Sequence, residues 1–208
     1  MTATARRLGA AGVTAAQILS GAAHCFARNG FHSASMQDVL KEVGLSAGAV
    51  YRYFAGKEDL IAAIADEAFG GIRRAFEEAA ESAPPPTPDV LLGRVLRGVF
   101  EGQMYGLERR ACAALVVQVW AETLRNDRLS NTLAEGYAGM RVAWARLVEA
   151  YRAAGLMPSG VPADDVARTM IATAQGFIAQ EALFGGVEPG VLENGLRALM
   201  SMDLQKIS

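Results

Sequence analysis

Hydrophobic residues along the chain recur at intervals of three and four, the spacing that places side chains on one face of an α-helix. Three such faces stand out: Ile18, Ala22, Cys25 and Phe26; Met36, Val39, Leu40 and Val43; and Leu133, Tyr137, Met140, Trp144, Leu147 and Tyr151. No run alternates apolar and polar residues as a half-buried strand would. The pattern therefore predicts an all-α protein.

Glycine, serine and proline predict where these helices begin and end. Glycines follow the first two predicted helices and serines stand at the N-cap positions of the second and third: Gly30, Gly44, Ser35 and Ser46. A long helix is predicted from Lys57 to about Glu81, before the proline-rich segment 84–88, which cannot continue a helix. Further breaks are expected at 125–130, 155–162 and 185–189.

The segment 35–60 predicts a helix-turn-helix unit. Two short helices meet at Gly44, which permits a tight turn, and the second helix, 47–53, is free to lie in a DNA major groove. Gly48 and Ala49 are small enough to let its backbone approach base edges. Four residues add hydroxyl and cationic donors suited to phosphates: Tyr51, Arg52, Tyr53 and Lys57.

Residues 14–64 resemble the N-terminal domain of the tetracycline-repressor (TetR) family of bacterial regulators. The matching residues are Phe26, Gly30-Phe31, Gly44-Leu45-Ser46, Gly48, Tyr51-Arg52-Tyr53-Phe54 and Lys57-Glu58-Asp59-Leu60. The resemblance implies phosphate contacts by Ser35, Tyr51, Tyr53 and Lys57. It implies base-edge contacts by Gln37, Ala47, Gly48, Ala49 and Arg52. The chain departs from the family pattern at Ala47, where a long basic residue is common, and at Leu40, where alanine is usual.

The rest of the chain is predicted to be an effector-binding and dimerisation domain. We place the DNA-binding domain at 1–56 and a C-terminal helical bundle at 57–208. Apolar residues on several helices, with two amides, are candidates to line a ligand cavity. These residues are Phe76, Phe100, Met104, Gln118, Trp120, Tyr137, Met140, Trp144 and Gln175. Simple core packing remains an equal alternative for each of them.

Segment 169–180 carries no charge and many small residues, which favours close packing of helices. In the resembled family the last long helices pair into a four-helix dimer interface, and here they correspond to about 130–154 and 163–184. The sequence therefore predicts a homodimer. The alternative is that this helix forms the centre of a single-chain bundle.

Composition excludes several classes of site. Two cysteines, Cys25 and Cys112, are too few for a disulfide scaffold or a thiolate metal site. The two histidines, His24 and His32, leave little for a zinc centre or a catalytic triad. Cys25 occupies a core-facing position on the first predicted helix, and Cys112 lies in an apolar run, so both are expected to be unreactive thiols. We therefore expect no metal, no cofactor and no enzymatic activity.

Charge and hydropathy bear on partners and location. The 208 residues carry a net charge of −2, but residues 1–60 carry +2 and the remainder −4, which places DNA contact in the N-terminal part. Arg6-Arg7 precedes an uncharged run that is too polar for a signal peptide, and no segment is apolar enough to span a membrane. A cytoplasmic protein without a membrane partner is expected.

These observations predict a ligand-responsive transcriptional regulator. The favoured mechanism is a repressor that a small lipophilic effector releases from palindromic double-stranded operator DNA. Two alternatives remain open at this point: a helical enzyme acting on lipophilic compounds, and an architectural DNA-binding protein without an effector. Paired acids such as Asp164-Asp165 resemble helix-terminal residues more than an active site.

Overall fold

The computed structural model describes residues 15–100 and 104–202, so Arg6-Arg7 lies outside the described residues. Within these ranges the chain forms nine α-helices, one short 3₁₀ turn and no strand, which confirms the all-α prediction. The helices are α1 (Ala15–Asn29), α2 (Met36–Val43), α3 (Ala47–Tyr51), α4 (Lys57–Glu81), α5 (Pro88–Phe100), α6 (Arg109–Thr123), α7 (Asp127–Ala153), α8 (Ala163–Phe184) and α9 (Pro189–Met200); the 3₁₀ turn is Met104–Gly106.

The N-terminal three helices form the predicted helix-turn-helix unit. The Ser35 hydroxyl accepts a hydrogen bond from the Asp38 backbone N–H, and the Asp38 carboxylate accepts one from the Ser35 backbone N–H, which together cap α2. Gly44 ends α2 in the left-handed conformation (φ 69°), as its position predicts. Gly21 lets α1 approach α2 closely, since a Cβ there would lie 2.7 Å from Val43 Cγ2.

Two helix boundaries differ from the prediction. Helix α3 ends at Tyr51 and not at Tyr53, because the Tyr53 N–H bonds the Val50 carbonyl three residues back (2.9 Å) and tightens the chain into a turn. Helix α7 begins at Asp127, three residues earlier than expected, because the Asn126 side chain accepts a hydrogen bond from the Leu129 N–H (3.0 Å).

Helices α4 to α9 form a bundle in which α4 packs along α7 and α8 packs against both α6 and α7. One cluster of buried side chains continues from α1, α2 and α3 into α5, α6 and the start of α7. A second cluster lies between α4, α5, α7 and α8 around Trp144 and Phe76. The helix-turn-helix unit therefore rests directly on the bundle. No helix in the described ranges is both long and apolar enough to cross a membrane.

Candidate nucleic-acid interface and ligand cavity

Helix α3 presents its N-terminal end to solvent. The Ser46 hydroxyl accepts a hydrogen bond from the Ala49 N–H (3.3 Å) and fixes the first turn. Ala47 and Gly48 are exposed and Ala49 is half-buried. A Cβ built on Gly48 would meet no atom within 4 Å, so the surface here is open. This geometry permits close approach of another molecule to the α3 backbone.

The C-terminal end of α3 carries exposed aromatic and cationic groups. Tyr51 is 48% exposed. The Arg52 guanidinium lies 5.2 Å from the centroid of the Tyr53 ring, which is within cation–π range. Tyr53 and Phe54 are half-buried and pack against the core of the unit. Tyr51 and Arg52 therefore extend from the same end of α3 while Phe54 anchors it.

The first turn of α2 places the predicted contacts Ser35 and Gln37 at the surface, both exposed. The Ser35 hydroxyl also donates to Asp38 Oδ2 (2.6 Å). This bond, together with the bond from the Ser35 backbone N–H, lowers the pKa of the Asp38 carboxyl. Ser35 thus orders the start of α2, and its contact with a phosphate remains a prediction.

Lys57, expected to contact phosphate, points toward the turn between α1 and α2. Its ammonium donates to the carbonyl oxygens of Phe31 (3.2 Å), His32 (3.1 Å) and Ala34 (3.3 Å), and it lies 4.9 Å from the centroid of the Phe31 ring. An ammonium has three N–H donors, and three carbonyls surround this one. In this structure Lys57 holds the turn that precedes α2, and its phosphate contact remains a prediction.

Gln118 lies outside the cavity, contrary to expectation. Its Oε1 accepts a hydrogen bond from the Phe31 N–H (3.0 Å), so the amide of α6 is satisfied by the turn after α1. We expected Gln118 in the cavity because this amide side chain interrupts an apolar helix. The structure corrects it: α6 turns Leu115 and Val119 toward the cavity and Gln118 toward the helix-turn-helix unit.

The bundle contains a partly open cavity of about 130 Å³ between α4, α5, α6, α7 and α8. Six of the nine predicted residues line it: Phe76, Trp120, Tyr137, Met140, Trp144 and Gln175. Phe100 does not, although its neighbour Val99 does; Phe100 is buried against Phe177, with ring centroids 6.2 Å apart. The side chain of Met104 lies outside the described residues.

Aliphatic residues on α4, α5 and α6 complete the lining, and sequence reasoning did not assign them to a cavity. Examples are Ile64, Val95 and Val116. Their helical spacing identifies a buried face but cannot separate cavity lining from ordinary core. Phe69 also lines the cavity, and Gly136 of α7 makes room for it, since a Cβ at Gly136 would lie 2.4 Å from the Phe69 ring.

One polar pair reaches the cavity wall. The side-chain amide of Gln175 on α8 donates a hydrogen bond to the Tyr137 hydroxyl on α7. Burial raises the pKa of Tyr137, while the Gln175 hydrogen bond acts in the opposite direction. Among the described residues that line the cavity, none carries a charge.

A second junction, which sequence reasoning missed, joins α1 to the 3₁₀ turn. His24 Nε2 lies 2.7 Å from the Tyr105 carbonyl oxygen, and the Tyr105 hydroxyl donates to Glu67 Oε2 (2.5 Å) on α4. Tyr105 adopts a left-handed backbone (φ 59°), which non-glycine residues rarely adopt. A single polar residue in the sequence gives no signal for such a contact.

Both cysteines are buried. Desolvation raises the pKa of Cys112 to about 11, and it is also the main cause that raises the pKa of Cys25. In the described part of the chain, no three His, Cys, Asp or Glu side chains come together in a group that would hold a metal ion.

Helix α8 exposes one face within the single chain. Five exposed residues follow one another at intervals of three and four: Thr169, Ala172, Gly176, Gln180 and Leu183. The neighbouring helix α7 exposes Val142 by 54%. A helix at the centre of a single-chain bundle would have no such stripe, so this alternative does not hold.

Two family models match the chain. Residues 18–64 match that of the bacterial regulatory proteins, tetR family. Residues 94–202, just over half of the chain, match that of the C-terminal domain of BetI-type transcriptional repressors.

Curated relatives match over part of their length. The chain is 32% identical over 120 residues to the HTH-type transcriptional regulator UidR of Escherichia coli (strain K12), an alignment that covers 58% of this chain and 57% of that protein. It is 41% identical over 51 residues to the HTH-type transcriptional repressor AcnR of Corynebacterium diphtheriae, covering 24% and 27%. The chain thus aligns with little more than half of the length of UidR.

Solved structures match over most of the chain. Salmonella enterica GusR superposes with a TM-score of 0.70 at 29% identity, covering 89% of this chain and 94% of that one. FadR from Bacillus subtilis, in complex with stearoyl-CoA, superposes with a TM-score of 0.69 at 21% identity, covering 88% and 96%. The second likeness concerns the fold alone.

Proposed function

Because the chain belongs to the TetR family of bacterial regulatory proteins, we propose that it is a transcriptional repressor that a small apolar effector releases from a palindromic operator. One observation carries the proposal. The open end of α3 and an apolar cavity lie in the same molecule, and two connections join them. These are the continuous helix α4 and the hydrogen bond from the Phe31 backbone N–H to Gln118 Oε1. Neither an enzyme nor an architectural DNA-binding protein requires such connections.

In the DNA complex, α3 would lie in the major groove. Ala47, Gly48, Ala49 and Arg52 would face base edges together with Gln37, since exposed small residues let the α3 backbone approach closely. Ser35, Tyr51, Tyr53 and Lys57 would contact phosphates, which position the protein without reading sequence. For Lys57 this requires the ammonium to exchange at least one of its three carbonyl partners for a phosphate.

The working division into a DNA-binding domain (1–56) and an effector and dimerisation domain (57–208) assigns α4 to the second part. This helix begins beside the helix-turn-helix unit and ends in the bundle, and its 25 residues extend roughly 37 Å at 1.5 Å per residue. Its later residues Phe69, Ile72 and Phe76 line the cavity. A ligand that prefers one position of α4 would therefore shift DNA affinity.

The exposed stripe on α8 supports a homodimer built from α7 and α8. Small side chains let helices approach closely, and a two-fold dimer would pair identical stripes. Such a dimer would present its two α3 helices to successive major grooves about 34–36 Å apart, or a multiple of that spacing.

Repression, as opposed to activation, is supported by the description of the C-terminal model and by the name of the AcnR relative. An apolar effector is supported by the cavity of this chain, whose described lining is uncharged.

A DNA-shift assay tests the proposal. Purified protein should retard DNA from upstream of its own gene, and a screen of small apolar compounds should identify some that abolish the shift. Arg52→Ala should weaken specific binding by about 1–3 kcal/mol and leave binding to scrambled DNA nearly unchanged. Equal loss on both DNAs would show that Arg52 reads no base, and failure of every compound to release the DNA would overturn the effector role.

A further inference from the structure

The cavity has the chemistry of a site for an uncharged ligand. Every described residue that lines it is apolar, aromatic or neutral and polar, so the described wall offers no counter-charge. An ion enters such a site only by giving up its hydration without compensation, which costs several kcal/mol. A carboxylate, phosphate or ammonium group inside this cavity would therefore bind far more weakly than a neutral group of the same size.

The aromatic residues of the wall do not form a cage for a cation. The rings of Phe69 and Tyr137 pack edge to face with centroids 5.4 Å apart, and those of Phe76 and Trp144 pack at 4.8 Å. In each pair, one ring therefore covers part of the other. Cation–π binding of a quaternary ammonium requires ring faces that converge on the ion.

The Tyr137–Gln175 pair is the polar feature to which a ligand can bond. Gln175 uses an amide N–H to donate to the Tyr137 hydroxyl oxygen. That hydrogen bond uses neither the Tyr137 hydroxyl proton nor Gln175 Oε1. The first can donate to a ligand and the second can accept from it. A ligand hydroxyl is the smallest neutral group that does both.

We infer that the effector is an uncharged, largely apolar molecule whose hydroxyl group bonds both Tyr137 and Gln175. The inference rests on the proposed role of the cavity as the effector site. The volume of about 130 Å³ is enough for a ring or a short alkyl chain of the ligand, since a cavity of about 150 Å³ in another protein binds benzene.

Intrinsic fluorescence can follow binding without a label, because the chain has two tryptophans, Trp120 and Trp144, and both line the cavity. The probes are primary alcohols from hexanol to dodecanol, with the carboxylates and trimethylammonium ions of equal chain length, titrated at neutral pH. We expect the best alcohol to bind at least tenfold more tightly than either matched ion. Tighter binding of the carboxylate or ammonium ion would overturn the inference about charge.

A cycle with Tyr137→Phe tests the hydroxyl contact. The substitution keeps the ring that packs on Phe69 and removes the donor. It should weaken binding of the best alcohol about tenfold, the usual effect of one hydrogen bond in such a site. It should leave binding of the matched chloroalkane within about twofold. Equal losses for the alcohol and the chloroalkane would overturn the contact, and thermal unfolding of the variant reports its folding.

The results separate this inference from the proposed function. Binding of alcohols that also releases operator DNA supports both. Release by a carboxylate or ammonium ion alone retains the effector role and overturns the inferred chemistry. Absence of fluorescence change with every probe overturns the cavity as an effector site, and with it the inference.

Discussion

A side chain at Gly48 should affect the stability of the free protein and its affinity for DNA in opposite directions. Gly48 lies exposed in α3, and a Cβ there would meet no atom within 4 Å in the free protein. Gly48→Ala should therefore leave stability unchanged or raise it by about 0.5–1 kcal/mol, since alanine favours helix. The same methyl group would meet the DNA, so operator affinity should fall about tenfold or more.

Gly98→Ala is the matched control for Gly48→Ala, because Gly98 is also helical, exposed and without neighbours within 4 Å, but lies on α5. It should match the stability effect without the DNA effect. Thermal unfolding and a DNA-shift titration measure the two quantities. Undiminished operator affinity of Gly48→Ala would show that α3 does not approach DNA at this residue.

Cys25 and Cys112 should be inert in the folded protein. Their raised pKa values keep both thiols protonated at neutral pH, whereas the thiolate is the reactive form. A thiol reagent at pH 8 should modify the native protein only as fast as the folded structure opens to expose the thiols. Denaturant should expose both thiols at once. Fast modification of one thiol, with loss of DNA binding, would instead identify a redox-sensitive site.

At the level of the helices, Gln118 connects α6, which lines the cavity, to the helix-turn-helix unit. Ligand binding can therefore act on the helix-turn-helix unit through this residue. The residue lies outside the cavity, while its neighbour Val119 lines it. Gln118→Leu removes the acceptor of the Phe31 N–H and should leave ligand binding within about twofold. We expect it to reduce the effector-induced loss of DNA affinity. Without this hydrogen bond, a movement of α6 is no longer passed to the turn between α1 and α2, which Lys57 holds.

The control for Gln118→Leu is Gln118→Glu, which keeps an acceptor oxygen in the same place and should restore part of the response. DNA affinity with and without effector, measured for each variant, gives the response as a ratio. If the ratio of DNA affinities with and without effector is unchanged in Gln118→Leu, the coupling between cavity and DNA runs through α4 and not through Gln118.

The same helices show what the sequence could and could not predict. Spacing and caps predicted the order of the helices, and Ser35, Gly44 and the proline-rich segment marked ends that the structure confirms. Gln118 was misplaced because an amide in an apolar helix predicts a polar partner but does not identify it. The phosphate contact of Lys57, expected from its charge and from the resemblance, stays a prediction. Its carbonyl partners could not be predicted, because they lie 23 to 26 residues away in the chain, beyond the reach of local patterns.

For the whole molecule, the exposed stripe on α8 predicts the oligomeric state. Ala172→Glu places a charge in the proposed interface and, because Ala172 is exposed in the single chain, should leave the fold intact. Light scattering should show a dimer for the parent protein and a monomer for the variant, with loss of operator binding. Ala121→Glu, at an exposed site on α6, is the control and should remain dimeric.

The linkage between cavity and DNA gives the most demanding test of the molecule as a whole. A ligand shifts DNA affinity only if it binds one of two protein conformations more tightly than the other. A typical coupling free energy of about 1–3 kcal/mol corresponds to about 5–150-fold weaker DNA binding. Thermodynamic reciprocity requires operator DNA to weaken ligand binding by the same factor. The fluorescence of Trp120 and Trp144 should report this when the effector is titrated with and without operator.

A cavity variant separates coupling from folding. Trp120→Ala removes a half-buried wall residue, whereas Phe76→Ala would remove a buried one and lower stability by about 3–5 kcal/mol. Trp120→Ala should therefore change the effector response while ligand-free operator affinity stays within a few-fold. If DNA binding and thermal stability fall together in this variant, Trp120 is a core residue. Its packing is then needed to keep α4 and α6 in place beneath the helix-turn-helix unit. Equal affinity for the effector with and without operator would show that effector binding and DNA binding are not coupled.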